Sequence, residues 1–240
     1  MDIVFGNCVS VSGYCYALIL VDPATQYNWT FGLKTLSSVD IISALRLFHA
    51  AAGLLAHCFY SDCDLKLFGS AVSEYLIDGQ SKVIPALDLI DNQSKDVAAP
   101  AKRQSANRLI ELHWKVMVHM ARAYLTKKQM NRIFCFCAIT HAARMMNAIF
   151  GKHSGCLASP FFLVHGVGHD KQTWVPLFLL AYFHHKKDSD IQRSKHQAHT
   201  IDCIIISRSP TSNALLVYNP RNKQYYEPDS YPLDPYCLTG

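Results

Sequence analysis

YCYALILVDPATQYNWTFGL, residues 14–33, decides how the chain is read. Residues 14–21 form an uninterrupted apolar run that stops at Asp22. A run of that length without polar alternation predicts a central strand covered on both faces. QYNWTFGL (26–33) is rich in aromatic and β-branched residues and follows the short link PAT. The two segments therefore predict a hairpin.

Moving outward, SSVDIISALRLFHAAAG (37–53) opens with serines, carries Asp40 early and ends at Gly53. Its apolar residues Ile41, Leu45, Phe48 and Ala52 recur at helical spacing. LAHCFYSD (55–62) predicts another strand that ends at an acid, and 67–78 a short helix. From Asn107 to Lys128 an amphipathic helix is predicted. Ile110, Trp114, Met117, Ala121 and Tyr124 lie on one face, and Glu111, Lys115, His119 and Arg122 along another. A second long helix is predicted over 130–149, through Phe134, Ala138, His141 and Met145. HKKDSDIQRSKHQAHT (185–200) reads as a polar linker, and IDCIIIS and ALLVYN, with the turn signals RSPTSN and NPRNK, as a small β unit. The histidines at 184, 185, 196 and 199 lack cysteine partners at zinc spacing. The order of elements predicts an α/β layer with mixed strands.

Bulk properties bound the function. Half of the 240 residues are hydrophobic, so a core can be buried and global disorder is excluded. The net charge of +5 and a pI near 8.7 suit an anionic partner. Nine scattered cysteines, with no CxxC pair, predict free thiols in a reducing compartment. The longest apolar runs, at 14–21 and 175–183, are strand-sized, and MDIVFGNCVS is not a signal peptide. The expectation is an intracellular protein without a membrane partner.

Three acids stand at ends of elements: Asp22, Asp62 and Glu111. Clustered anions repel unless a cation sits among them. Hard oxygen ligands with room for water suit Mg²⁺ or Mn²⁺. Two such ions can activate a hydroxyl and stabilise a leaving oxygen in phosphodiester chemistry. Asp64, two residues beyond Asp62, shares its face if the strand continues. Read singly, each acid is better explained as a surface carboxylate at the end of a strand or helix, where acids are common.

Together the motifs resemble the integrase catalytic core of copia-type LTR retrotransposons. LILVDPATQYNWTF resembles the family's first motif and FYSDCDLKLF its second. AAPAKRQSANRLIELHWKVMVHMARAYL resembles the third, a proline-containing loop followed by a Glu-bearing helix. ASPFFLVHG (158–166) resembles the loop after the core helices, and 199–228 the small β unit that follows. The resemblance spans about 13–228 and implies a ribonuclease H-like mixed sheet flanked by helices, then a C-terminal β unit. It implies a catalytic and metal-binding triad of Asp22, Asp62 and Glu111, two Mg²⁺ or Mn²⁺ ions, and DNA integration by phosphodiester cleavage and strand transfer. It also implies a homo-oligomer acting on DNA in the nucleus. Expected boundaries are an N-terminal remnant at 1–12, a core at 13–183, a linker at 184–200 and the β unit at 201–240. Lys115, His119 and Arg122 along the Glu111 helix, and Lys102 and Arg103 in the loop before it, are candidate DNA-backbone contacts.

A repeat bears on the spacing. LIDGQSK (76–82) returns as LIDNQSK (89–95), an offset of 13 (89 − 76). Asp62 and Glu111 are 48 residues apart (111 − 62 − 1). Removing one copy leaves 35, the separation usual in the family. A tandem duplication is the expectation, with 84–97 looped out at little entropic cost and the strand formed by the second copy, next to the proline loop.

Three stretches depart from the family. Arg108 stands where glycine is usual, a strain if φ must be positive. FCFC (134–137) replaces an aromatic, and Cys203 and Ser207 replace glycines. These departures keep a second reading open, a DNA-binding relic without catalysis. A nuclease for RNA–DNA hybrids is a third.

Overall fold

The structure, a computed structural model, describes residues 1–5, 9–52, 58–61, 69–78, 82–85, 100–153, 155–168, 177–178, 180–184, 200–208 and 215–227. The chain divides into two compact units, Met1–His169 and Asp170–Gly240.

The first unit is built around the predicted hairpin. β1 (Asp2–Phe5), β2 (Tyr16–Val21) and β3 (Asn28–Leu33) form an antiparallel sheet with β2 in the middle. Ala17, Leu18, Ile19 and Leu20 are all buried, as a strand covered on both faces must be. Leu18 and Leu20 face α1 (Ser38–Ala52) and α2 (Ser70–Asp78), packing with Ile41, Leu45, Val72 and Leu76. Ala17 and Ile19 face α3 (Pro100–Lys127) and α4 (Cys135–Ala148), packing with Ile110, Met117, Ala142 and Ala143. Burying each large aliphatic side chain contributes about 1.5–3 kcal/mol. β1 comes from the residues read as a remnant, yet Met1, Ile3 and Val4 are buried in these cores.

α1 starts where its caps dictate. The Asp40 N–H donates to Ser37 Oγ at 3.3 Å, and the Asp40 carboxylate accepts from Thr35 N and Oγ1 at 2.8 Å each. The Thr35 hydroxyl and backbone bonds hold the Asp40 carboxyl below its ordinary pKa.

β4 (Cys58–Ser61) pairs in parallel with β5 (Lys82–Pro85), so Phe59 lies opposite Val83. The first repeat copy therefore runs from α2 into β5. The expectation that the second copy supplies this strand is corrected, and residues 84 and 85, assigned to a looped-out insert, are in the ladder. Phe59 is buried. Aligning the copies puts Asp96 in the place of Val83, an acid where a strand prefers a β-branched residue. The second copy lies outside the described residues.

α3 begins at Pro100, seven residues before its predicted start. Proline is disfavoured inside a helix but suits the first position, where its missing N–H is not required. Lys102 and Arg103 are thus in the helix and not in a loop. Arg108 is an ordinary helical residue, and the strain expected from replacing glycine is absent.

After α4 come the short hairpin β6 (Gly151–His153) and β7 (Cys156–Ala158), then α5 (Pro160–His165). Ser159 caps α5 by accepting from Phe162 N, Pro160 opens it, and Gly166 closes it at φ 69°.

The second unit is a four-stranded antiparallel sheet in the order β11-β10-β9-β8: β8 (Leu180–His184), β9 (Thr200–Arg208), β10 (Leu215–Asn219) and β11 (Gln224–Tyr226). Cys203 is fully buried with Ile205, Leu215 and Val217, where its thiol serves as a small apolar side chain.

The chain is a mixed helix-and-strand protein, as its sequence predicts. Among the described residues the strands form four separate sheets, with the parallel pair β4–β5 in one and antiparallel pairs in the others. Among the described residues Cys15, Cys137 and Cys156 are free thiols. No helix among the described residues is long and apolar enough to cross a membrane.

Candidate active site

Asp22 immediately follows β2 and organises the turn into β3. Its carboxylate accepts from Ala24 N at 3.2 Å, Thr25 N at 3.1 Å and Thr25 Oγ1 at 2.6 Å. Its N–H donates to the Tyr27 carbonyl at 3.0 Å, and its carbonyl accepts from Gln26 N at 2.7 Å. Gln26 takes φ 60° to close the turn. A carboxylate offers about four acceptor positions, so three bonds orient it without exhausting it.

Glu111 lies on the solvent side of α3, 3.7 Å from Lys115. An exposed pair one helical turn apart is worth about 0.3–0.5 kcal/mol and leaves the carboxylate able to rotate. Arg108, Glu111, Lys115, His119 and Arg122 follow one another at spacings of three and four and are all exposed. They form one ridge, with a carboxylate near its start and basic groups on both sides. The side chains of Lys102 and Arg103 are not among those described. Asp62 and Asp64 lie outside the described residues.

A buried polar group ties the Glu111 turn to the end of β2. The His113 ring on α3 meets Asn28 on β3, Nδ1 to Oδ1, at 2.6 Å. Asn28 is the register partner of Val21, the residue before Asp22. Asn147, in the last turn of α4, accepts from Asn28 N at 2.8 Å and from Asn28 Nδ2 at 3.2 Å. Its own Nδ2 donates to the Asn28 carbonyl at 2.8 Å. The Asn147 amide thus acts as a peptide group added to β3. Asn28, His113 and Asn147 are each buried. Asp22 and the helical turn of Glu111 stand at the same end of the sheet. Glu111 is roughly 200° around the helix from His113, so its carboxylate faces solvent while His113 faces the sheet.

Tyr27 joins this group to the surface. Burial raises its pKa above the ordinary value, partly offset by Asn147 and by the charge of Arg144. The hydroxyl is 3.4 Å from His165 Nε2. Ring centroids place Tyr27 4.5 Å from Trp29, 5.5 Å from His165 and 6.5 Å from Phe161. Phe161 and His165, one turn apart on α5, are 4.5 Å apart.

Asn28, Asn147, His113 and Tyr27 are absent from the sequence-derived candidates. His113 carried a signal, since it lies on the apolar face between Ile110 and Met117. The two asparagines are 119 positions apart, and nothing local marks their meeting.

Asp22 and Glu111 offer the hard oxygen donors that Mg²⁺ or Mn²⁺ prefer, and both carboxylates keep free acceptor positions. On donor chemistry they fit such an ion. No group of three or more potential ligands gathers among the described residues.

No family model and no curated protein matches the chain. Solved structures do share similarity with it. The magnesium-bound HTLV-2 integrase catalytic core aligns over 63% of this chain at 14% identity. Its trimeric form covers 85% of that chain with a TM-score of 0.47, and its dimeric form 84% with 0.46. The catalytic core of BIV integrase aligns over 68% of this chain and 90% of its own at 10% identity, with a TM-score of 0.49. At these values the likeness carries no weight for function.

Proposed function

We propose that the chain is a divalent-metal polynucleotidyl transferase of the copia-type integrase kind, built on a ribonuclease H-like core and joining DNA in the nucleus as a homo-oligomer. The observation that carries this reading is the His113–Asn28 contact, which holds the Glu111 turn at the strand end bearing Asp22. Asp22, Asp62 and Glu111 would hold two Mg²⁺ or Mn²⁺ ions, which when bound supply an activated hydroxyl and charge stabilisation for the leaving oxygen. Asp22 is kept in one orientation by Thr25 and Ala24. Lys115, with His119 and Arg122 along the same exposed ridge, would neutralise backbone phosphates. Lys102 and Arg103 would extend that contact towards the start of α3.

The test is strand joining with oligonucleotide ends in Mn²⁺. Asp22→Asn, Asp62→Asn and Glu111→Gln are each expected to abolish joining. Glu111→Gln should leave stability unchanged within about 0.5 kcal/mol, because the residue is exposed. Joining at the parental rate by any variant removes that residue from the site.

A second reading rests on the local roles the two carboxylates already fill, Asp22 as a turn cap and Glu111 as the partner of Lys115. In it the chain binds DNA and does not join it. Metal-independent DNA binding without nicking or joining would select this relic.

A further inference from the structure

We propose that the rings of Tyr27, Phe161 and His165 form a stacking shelf for an unpaired nucleobase of the DNA substrate. The proposal deepens the DNA-joining reading and rests on it.

Position is the first ground. The Tyr27 carbonyl accepts the Asp22 N–H at 3.0 Å, so the shelf begins on the turn that carries the proposed catalytic acid. A base held there would lie beside the turn that carries that acid.

Construction is the second. Tyr27 directly precedes Asn28, whose peptide is clamped on both sides by the buried Asn147. Trp29 backs its ring at 4.5 Å and is itself set edge-on against Phe48 at 5.1 Å. His165, by contrast, is exposed, and α5 beneath it is pinned by the Ser159 cap and by Gly166. The cluster thus has a fixed inner edge and an open outer ring. Such preorganisation reduces the ordering cost of binding.

Chemistry is the third. Aromatic faces stack every base, so the shelf would grip DNA without reading sequence. Arg144 is close enough to act on the Tyr27 hydroxyl electrostatically and is exposed, which puts a cation beside the shelf for the adjoining phosphate. If the rings served only to pin α5 to the hairpin, the affinity for DNA would not depend on His165.

The experiment compares two labelled DNA probes, a blunt duplex and the same duplex with a two-nucleotide single-stranded overhang, by anisotropy on the full chain. His165→Ala, at an exposed position, is expected to weaken overhang binding about tenfold and to leave blunt-duplex binding unchanged. Phe161→Leu is expected to act in the same direction, and Tyr27→Phe, which keeps the ring, to retain overhang affinity within about threefold. Melting curves identify any variant that has lost its fold, and His165→Ala decides the question if Tyr27 or Phe161 variants have. Equal affinity of the parent for both probes, or equal losses on both probes in His165→Ala, overturns the shelf. Ring-dependent overhang binding without joining in Mn²⁺ overturns only the catalytic reading. Joining that is indifferent to His165 overturns only the shelf.

Discussion

Replacing Asn147 by alanine tests whether a side chain has been recruited as a piece of β-sheet. The change removes three bonds: acceptance from Asn28 N at 2.8 Å and Nδ2 at 3.2 Å, and donation to the Asn28 carbonyl at 2.8 Å. Each is worth about 1 kcal/mol net, and a buried group left unpaired costs about 1–3 kcal/mol. The expected loss is about 3 kcal/mol. For a unit of this size that lowers Tm by roughly 6–12 °C, readable by far-UV circular dichroism. Two of the three bonds go to the Asn28 backbone, so they survive in Asn28→Ala. Residues in contact usually couple by about 0.5–3 kcal/mol. Here the Asn28→Ala/Asn147→Ala cycle should close to within about 1 kcal/mol, because the side chains share only the 3.2 Å bond. Loss below about 0.5 kcal/mol in Asn147→Ala, or coupling above about 2 kcal/mol, would refute the account of Asn147 as a peptide surrogate.

Three further outcomes are expected. Gly32→Ala would set a methyl 2.5 Å from the Tyr14 ring, which itself packs on Phe136 at 4.8 Å. It should cost about 1–3 kcal/mol in thermal melts, and Tyr14→Ala should relieve the clash in the double variant. Burial beside Tyr124 lowers the His141 pKa to about 4 from 6.5, with a smaller push from Arg144. The unfolded chain therefore binds more protons between pH 6.5 and about 4, and stability falls as pH drops through that window. The contribution is about 1–3 kcal/mol once partial solvent screening is allowed for. His141→Phe should flatten the fall in denaturant titrations, and an unchanged slope would count against it. Lys115→Ala with Arg122→Ala should reduce the slope of log affinity for DNA against log salt by about 2. A slope unmoved by both changes would take the ridge out of the DNA contact.

The hairpin was legible because its signal is local: an apolar run, a short polar link and an aromatic-rich run that can hardly pair otherwise. The apolar face of α3 was legible for the same reason, and Ile110, Met117 and Ala121 are all buried. Its beginning lies earlier than the periodicity shows, because the first turn, opened by Pro100, carries no apolar stripe and proline suits the first helical position. The strand copy was misjudged from proximity in sequence, although Val83 against Asp96 was the better guide. Of the site, Asp22 could be located as the acid ending a buried strand, and even its turn role is foreshadowed by Thr25 three positions on. Glu111 could be located on a basic helix face. The Asn28–Asn147–His113 group could not, since it exists only once β3, α3 and α4 have packed.

The Asn147 amide has one more consequence, for how copies of this chain behave when concentrated. Among the described residues β3 is the outer strand of its sheet, and an outer strand invites lateral growth by intermolecular pairing. At Asn28 both main-chain valences are already occupied from within the same molecule. A foreign strand docking there would have to evict a buried side chain first, so this end of the sheet is stoppered against fibril-like addition without a charged gatekeeper.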